Sequence, residues 1–158
     1  MSFRAVELPT AVAGRLWLSA MPGRFEPWPQ FLERARRHAL NQVLCLTPLH
    51  EIERLSPLYH QAIRTQQLPF DWVHVAMRDF ALAEHDGAFR RGIKGSAEAL
   101  RQGQAVLVHC AAGIGRTGTA AACLLKTLGL PSAVALQHVR DAGSNPETAI
   151  QGGLVDSF

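Results

Sequence analysis

The densest reactive chemistry in the chain lies in ten residues, His109-Cys110-Ala111-Ala112-Gly113-Ile114-Gly115-Arg116-Thr117-Gly118. A cysteine and an arginine six positions apart, with small residues and two glycines between them, suit the capture of an oxyanion. Backbone N–H groups in such a loop can converge on one anion at the positive end of a following helix. Gly113 and Gly115 permit the backbone angles that a tight anion nest requires. Arg116 can return across the loop and grip two oxygens with its planar fork. Cys110 then sits at the base of a positive field, which favours the thiolate, the nucleophilic form. Cys123 contrasts with it, lying in the apolar run 120–125 where a core role is expected.

The surrounding pattern supplies elements able to hold such a loop. Ala105–His109 is a short strand, apolar except for its last residue, and 117–128 is an apolar helix. Earlier strands are expected at 14–19, 41–47 and 72–76. Helices are expected at about 29–39, before and after Pro57, and over 88–102, 133–142 and 147–157. A polar loop is expected through 77–86. Strands alternating with helices predict an α/β fold with a mostly parallel central sheet flanked by helices. In such sheets ligands bind at the carboxyl ends of the strands, where His109 and Cys110 fall. No repeat, linker or low-complexity tract interrupts the 158 residues, so one domain, 1–158, is expected.

Composition narrows the class. Hydrophobic residues are 47% and charged ones 18% of the chain, as in an ordinary folded domain. The apolar runs are far shorter than a membrane span needs, and the N-terminus lacks the stretch of a signal peptide. A net charge of +3, with scattered basic residues, is too small to argue for nucleic acid. Three cysteines, far apart and odd in number, make a disulfide framework improbable, and a reducing, cytoplasmic setting is expected. The seven histidines form no His-x-x-x-His pair and no Cys-x-x-Cys partner exists, so no metal or cofactor is expected.

The loop His109–Gly118 resembles the signature of the protein tyrosine phosphatase superfamily, His-Cys, five residues, Arg, then Ser or Thr. The resemblance implies a phosphatase-like fold and hydrolysis of phosphate monoesters through a cysteinyl-phosphate, on a phosphorylated protein or a small phosphomonoester. It implies Cys110 as nucleophile, phosphate held by Arg116 and the loop residues Ala111, Ala112, Gly113, Ile114 and Gly115, and His109 as the residue that orders the loop. Expelling the leaving group needs a proton donor, which in the superfamily is an aspartate about thirty residues before the cysteine. Asp79 lies 31 residues before Cys110 and just past the expected strand 72–76, with Asp71, Glu84 and Asp86 as rivals. Thr117 would assist departure of the thiolate, and Gln151 would position the hydrolytic water.

The small size, the Cys45-Leu46-Thr47 segment and the Ala121–Leu125 run look like the dual-specificity branch, most like kinase-associated phosphatases. Met77-Arg78-Asp79 stands where the larger tyrosine-specific enzymes read Trp-Pro-Asp, which weakens strict phosphotyrosine specificity. Ala111, Ala112 and Ile114 offer none of the cations found in lipid phosphatases of the superfamily. Some members place a cysteine at the position of Cys45 that forms a reversible disulfide with the nucleophile, so Cys45 is a possible redox partner of Cys110. Two other readings stand beside this one, a phospho-binding module without turnover and a sulfurtransferase or arsenate reductase with a Cys-x5-Arg loop. The sulfurtransferase and the reductase need no aspartate donor, and inert phospho-binding relatives usually lose the cysteine or arginine, whereas Cys110, Arg116 and Asp79 are all present here.

Overall fold

The computed structural model describes residues 3–78 and 86–158. Five strands, β1 (Arg4–Val6), β2 (Arg15–Ser19), β3 (Gln42–Cys45), β4 (Asp71–His74) and β5 (Ala105–His109), form one sheet in the order β1-β2-β5-β3-β4. β1 runs antiparallel to β2, and every other pairing is parallel. The helices are α1 (Trp28–Arg37), α2 (Leu49–Leu55), α3 (Pro57–Arg64), α4 (Asp86–Arg101), α5 (Gly115–Thr127), α6 (Ser132–Asp141) and α7 (Ala149–Ser157). The α/β architecture is the expected one. β1 was not foreseen, because three residues are too few to show a period. β4 starts one residue earlier than expected and stops at His74, and α4 begins at Asp86 rather than 88.

Side chains on a strand alternate between faces, and β5, buried throughout, shows what that does at the centre of the sheet. Val106 and Val108 face a core built with Phe89, Ile93 and Leu100 of α4, the 120–125 run of α5, and Val139 and Val155. Ala105 and Leu107 face the other layer, with Phe31 and Ala35 of α1 and Val43. Register carries this across the sheet, since Leu18 pairs with Val108, Val108 with Leu44, and Leu44 with Val73. The last row of the parallel strands is Ser19, His109, Cys45 and His74. All four parallel strands therefore end on one edge, and the loops that follow them meet there. Among the described residues, no helix is long and apolar enough to cross a membrane.

Leu44 is fully buried in the middle of this sheet. Leu44→Ala is expected to lose about 2–5 kcal/mol, as buried leucines do when the cavity cannot collapse. Its urea midpoint against wild type measures that loss, and a change below about 1 kcal/mol would mean that this row is not the core.

Candidate active site

β5 ends at His109, the chain turns through 110–114, and α5 starts at Gly115. Cys110 is 2% exposed, and the Gly113 N–H donates to its sulfur at 3.2 Å. Gly113 adopts φ +79°, and a β-carbon there would lie 2.5–2.7 Å from Ser19 O, Ser19 C and Ala20 N. Only glycine tolerates both the left-handed backbone and the close approach of the β2 end. Ala111 and Gly113 are buried, whereas Ala112 and Ile114 are exposed on the rim.

The carbonyls of the loop are taken up by groups around it. Cys110 O is 3.1 Å from His109 Nδ1. Ala111 O accepts from Met21 N–H at 3.3 Å and from Arg24 Nη1 at 2.9 Å. Gly113 O accepts from Ser144 Oγ at 2.6 Å and Arg4 Nη2 at 2.5 Å. Ile114 O accepts from Gly118 N–H at 2.7 Å and Asn145 N–H at 3.2 Å. A trans peptide is planar, with its N–H opposed to its C=O, and no peptide bond is cis. Outward carbonyls at 110, 111, 113 and 114 thus turn the N–H groups of Ala111, Ala112, Ile114 and Gly115 the other way. The result is an anion cradle.

Arg116 is 1% exposed and is held from outside the loop. Its Nη1 donates to Glu51 Oε2 at 3.0 Å and to Met77 O at 2.9 Å, and its Nη2 to Glu51 Oε1 at 3.2 Å. Glu51, on the first turn of α2, therefore receives the guanidinium with both carboxylate oxygens.

His109 lies in a relay whose direction follows from chemistry. Trp72 Nε1 can only donate, and it donates to Tyr59 Oη at 2.9 Å. Cys110 O can only accept, so Nδ1 of His109 carries the proton and Nε2 accepts from Tyr59 O–H at 2.8 Å. Burial holds the His109 pKa down to about 4, and the Arg116 charge pushes the same way. The ring is neutral with one assigned tautomer, and it contacts the first carbonyl of the loop.

The other expected residues fall as follows. Thr117 Oγ1 is buried with no partner among the described residues. Gln151 is buried, and its Oε1 accepts from Glu147 N–H at 2.8 Å, so the side chain turns back onto its own segment. It is the Glu147 carboxylate that rests against Gly115, so a β-carbon there would displace that side chain. Cys45 sits beside His109 in register, donates to Thr47 O at 3.7 Å, and has its thiol pushed up to about 12 by burial. Its side chain packs with Tyr59 and Ala111, whereas Cys110 packs into the core on the other face. Asp79 and Glu84 lie outside the described residues, as does the side chain of Asp86. Asp71 opens β4, at the opposite end from the site. Glu51, Tyr59, Trp72, Arg4, Arg24, Ser144 and Glu147 escaped the sequence reading. Of these, Glu51 alone had a signal that could have been used, an acid shortly after the expected strand 41–47.

The neutral His109 makes a pH dependence of stability predictable. An unfolded histidine takes up a proton near pH 6.5, whereas the folded one resists until about 4. The contribution is therefore complete above pH 6.5 and is lost as the pH falls toward 4. It amounts to about 3 kcal/mol at most. Urea midpoints from pH 7.5 to 4 are expected to fall more steeply for wild type than for His109→Asn. Parallel profiles would mean that His109 titrates alike in the folded and unfolded protein.

The sequence family that matches residues 29–151 is described as Swiss Army Knife protein, DSP-PTPase phosphatase domain. No curated protein matches the chain by sequence. Among solved structures, kinase-associated phosphatase with its catalytic-site cysteine changed to serine superposes with a TM-score of 0.86 at 18% identity. That match covers 100% of this chain and 93% of the other. Tk-PTP in its active form gives 0.73 at 25% identity, covering 98% and 95% of the two chains. PTPMT1 in complex with PI(5)P gives 0.71 at 17%, covering 90% and 88%. The chain belongs to the DSP-PTPase phosphatase family, in its Swiss Army Knife group, and is a phosphatase of the tyrosine and dual-specificity type.

Proposed function

We propose that the chain hydrolyses phosphate monoesters on proteins, phosphotyrosine first, through a cysteinyl-phosphate on Cys110. The observation that carries this reading is the cradle around Cys110, with the Gly113 N–H on its sulfur and Arg116 held beside it by Glu51. In the first step the Cys110 thiolate attacks phosphorus, the P–O bond to the leaving group breaks, and Asp79 gives its proton to the departing oxygen. What supports Asp79 is Met77, two residues earlier, whose carbonyl is already on Arg116. Two residues of chain reach about 7 Å, enough to bring a carboxyl over the cradle.

In the second step water attacks phosphorus and the P–S bond breaks. The electron pair returns to sulfur, assisted by the Thr117 hydroxyl, and Asp79 takes the proton of the water. Gln151 and Glu147, on the wall beside Gly115, are the groups available to hold that water. Substrates with one phosphate and an apolar body are favoured over multiply phosphorylated headgroups. Ile114 and Phe25 are exposed, while Arg24 and Arg140 are engaged with Ala111 O and Asn145 Oδ1. The whole chain would act as one catalytic domain.

Two outcomes are expected with p-nitrophenyl phosphate and a phosphotyrosine peptide, without added metal. Cys110→Ser abolishes turnover, and Asp79→Asn lowers kcat by roughly 10²–10⁴. A Cys110→Ser protein as active as wild type would remove the thiolate from the mechanism. An Asp79→Asn protein with unchanged kcat would move the proton to another acid. Glu51→Gln is expected to lower kcat/KM by about 10²-fold, since a guanidinium displaced by about 1 Å no longer meets the phosphate. Wild-type kinetics in that variant would show that Arg116 holds its place without Glu51.

A further inference from the structure

Two loop carbonyls carry more than hydrogen bonding demands. Ala111 O already has the Met21 N–H, and Gly113 O already has the Ser144 hydroxyl. Those neutral donors would suffice to keep each buried carbonyl satisfied. Yet Arg24 adds a cation to the first at 2.9 Å, and Arg4 a cation to the second at 2.5 Å. Both come from outside the Cys-x5-Arg motif. Arg4 stands on the edge strand β1, and Arg24 stands in the loop between β2 and α1.

The electrostatics of the site make that second layer consequential. Arg116 is matched by the two oxygens of Glu51, so the guanidinium of the motif is largely neutralised before substrate arrives. The Glu147 carboxylate lies against Gly115 and adds negative charge at the start of α5. Among the described groups, the N-terminus of α5 and the cations behind the loop act against that negative charge. Arg4 is placed for this by three acceptors, Gly113 O, Ala142 O at 2.7 Å and Ser144 Oγ at 2.9 Å. Burial lowers its pKa, while the charge of Cys110 raises it, so the two groups sense each other across the loop. Arg24 is steadied by the Phe25 ring, 4.5 Å from its guanidinium carbon.

We infer that Arg4 and Arg24 are positioning residues of the phosphate cradle, holding the 113–114 and 111–112 peptides with N–H inward and supplying its net positive field from behind. A cation on a carbonyl polarises that peptide, which makes its opposed N–H, of Ile114 or Ala112, a stronger donor to the anion. Because the site is buried, such charges are screened less than on the surface. The inference takes its anion from the phosphatase reading, but it can be tested without turnover.

The test is alkylation of Cys110 by iodoacetate, an anion, and iodoacetamide, its neutral analogue, with the label located by peptide mass. The ratio of the two rates reports the field at the sulfur and cancels changes in thiol reactivity. In Arg4→Met and in Arg24→Met the ratio is expected to fall about 3–10-fold. Arg4→Lys keeps the charge and is expected to keep the ratio within about twofold. Arg36→Met, on the exposed face of α1, is expected to leave it unchanged. A wild-type ratio in both methionine variants, with wild-type melting temperatures, would overturn the inference. So would an Arg4→Lys ratio as low as that of Arg4→Met, which would make the effect one of shape. Should Arg4→Met fail to fold, Arg24→Met, on a loop, decides alone. A wild type that releases no phosphate would sink the hydrolase reading and leave this ratio to be judged by itself.

Discussion

A loop that aims several N–H groups at one anion must send the opposed carbonyls somewhere, because the peptide plane does not bend. Here that somewhere is already occupied. Ala111 O, Gly113 O and Ile114 O are each bound by a group from another part of the chain, and Cys110 O by the neighbouring His109 ring, itself fixed through Tyr59. The loop after β2 supplies Met21 and Arg24, the segment after α6 supplies Ser144 and Asn145, and β1 supplies Arg4. The cradle is organised before any ligand enters, so binding costs little further ordering of the loop. Much of the fold around β5 can be understood as the apparatus that holds those four carbonyls outward.

The same constraint accounts for the polar groups in an otherwise apolar interior. His109, Tyr59 and Trp72 would be costly to bury singly, yet in series each donor finds an acceptor. The series ends on Cys110 O, so it both assigns the histidine tautomer and fixes the first peptide of the loop. Arg116 and Glu51 follow a parallel logic. A buried guanidinium is tolerable because a carboxylate and the Met77 carbonyl receive it, and it stays near the cradle for the same reason. Charge balance inside the motif leaves the surplus to residues outside it.

A good deal of this was legible in the residues. β5 and α5 were readable because a short apolar strand and an apolar helix flank a glycine-rich turn, and local pattern decides all three. The α/β alternation likewise followed from periodicity. β1 was not readable, since three residues show no period and its reason to exist is the long-range pairing with β2. Glu51 and Arg116 are 65 residues apart, and Arg4 and Gly113 are 109 apart. At such separations no spacing rule applies, and only the meeting of loops at one sheet edge brings them together. Gln151 was picked for its residue type, whereas the place of the Glu147 carboxylate against Gly115 left no mark in the spacing.

The sequence by itself carried the expectation of the chemistry, because the cysteine, the glycine-rich turn and the arginine lie within seven consecutive residues whose conformation is set locally. It also determined the layering, through apolar periods short enough to read along the chain. Only the tertiary structure decided how the site is charged and held. It showed that Glu51 offsets Arg116, that Arg4 and Arg24 stand behind the loop, and that His109 is a neutral link in a relay. The physical reason is one of range. Backbone angles and amphipathic faces depend on neighbours in sequence, whereas fields, ion pairs and buried hydrogen bonds depend on neighbours in space.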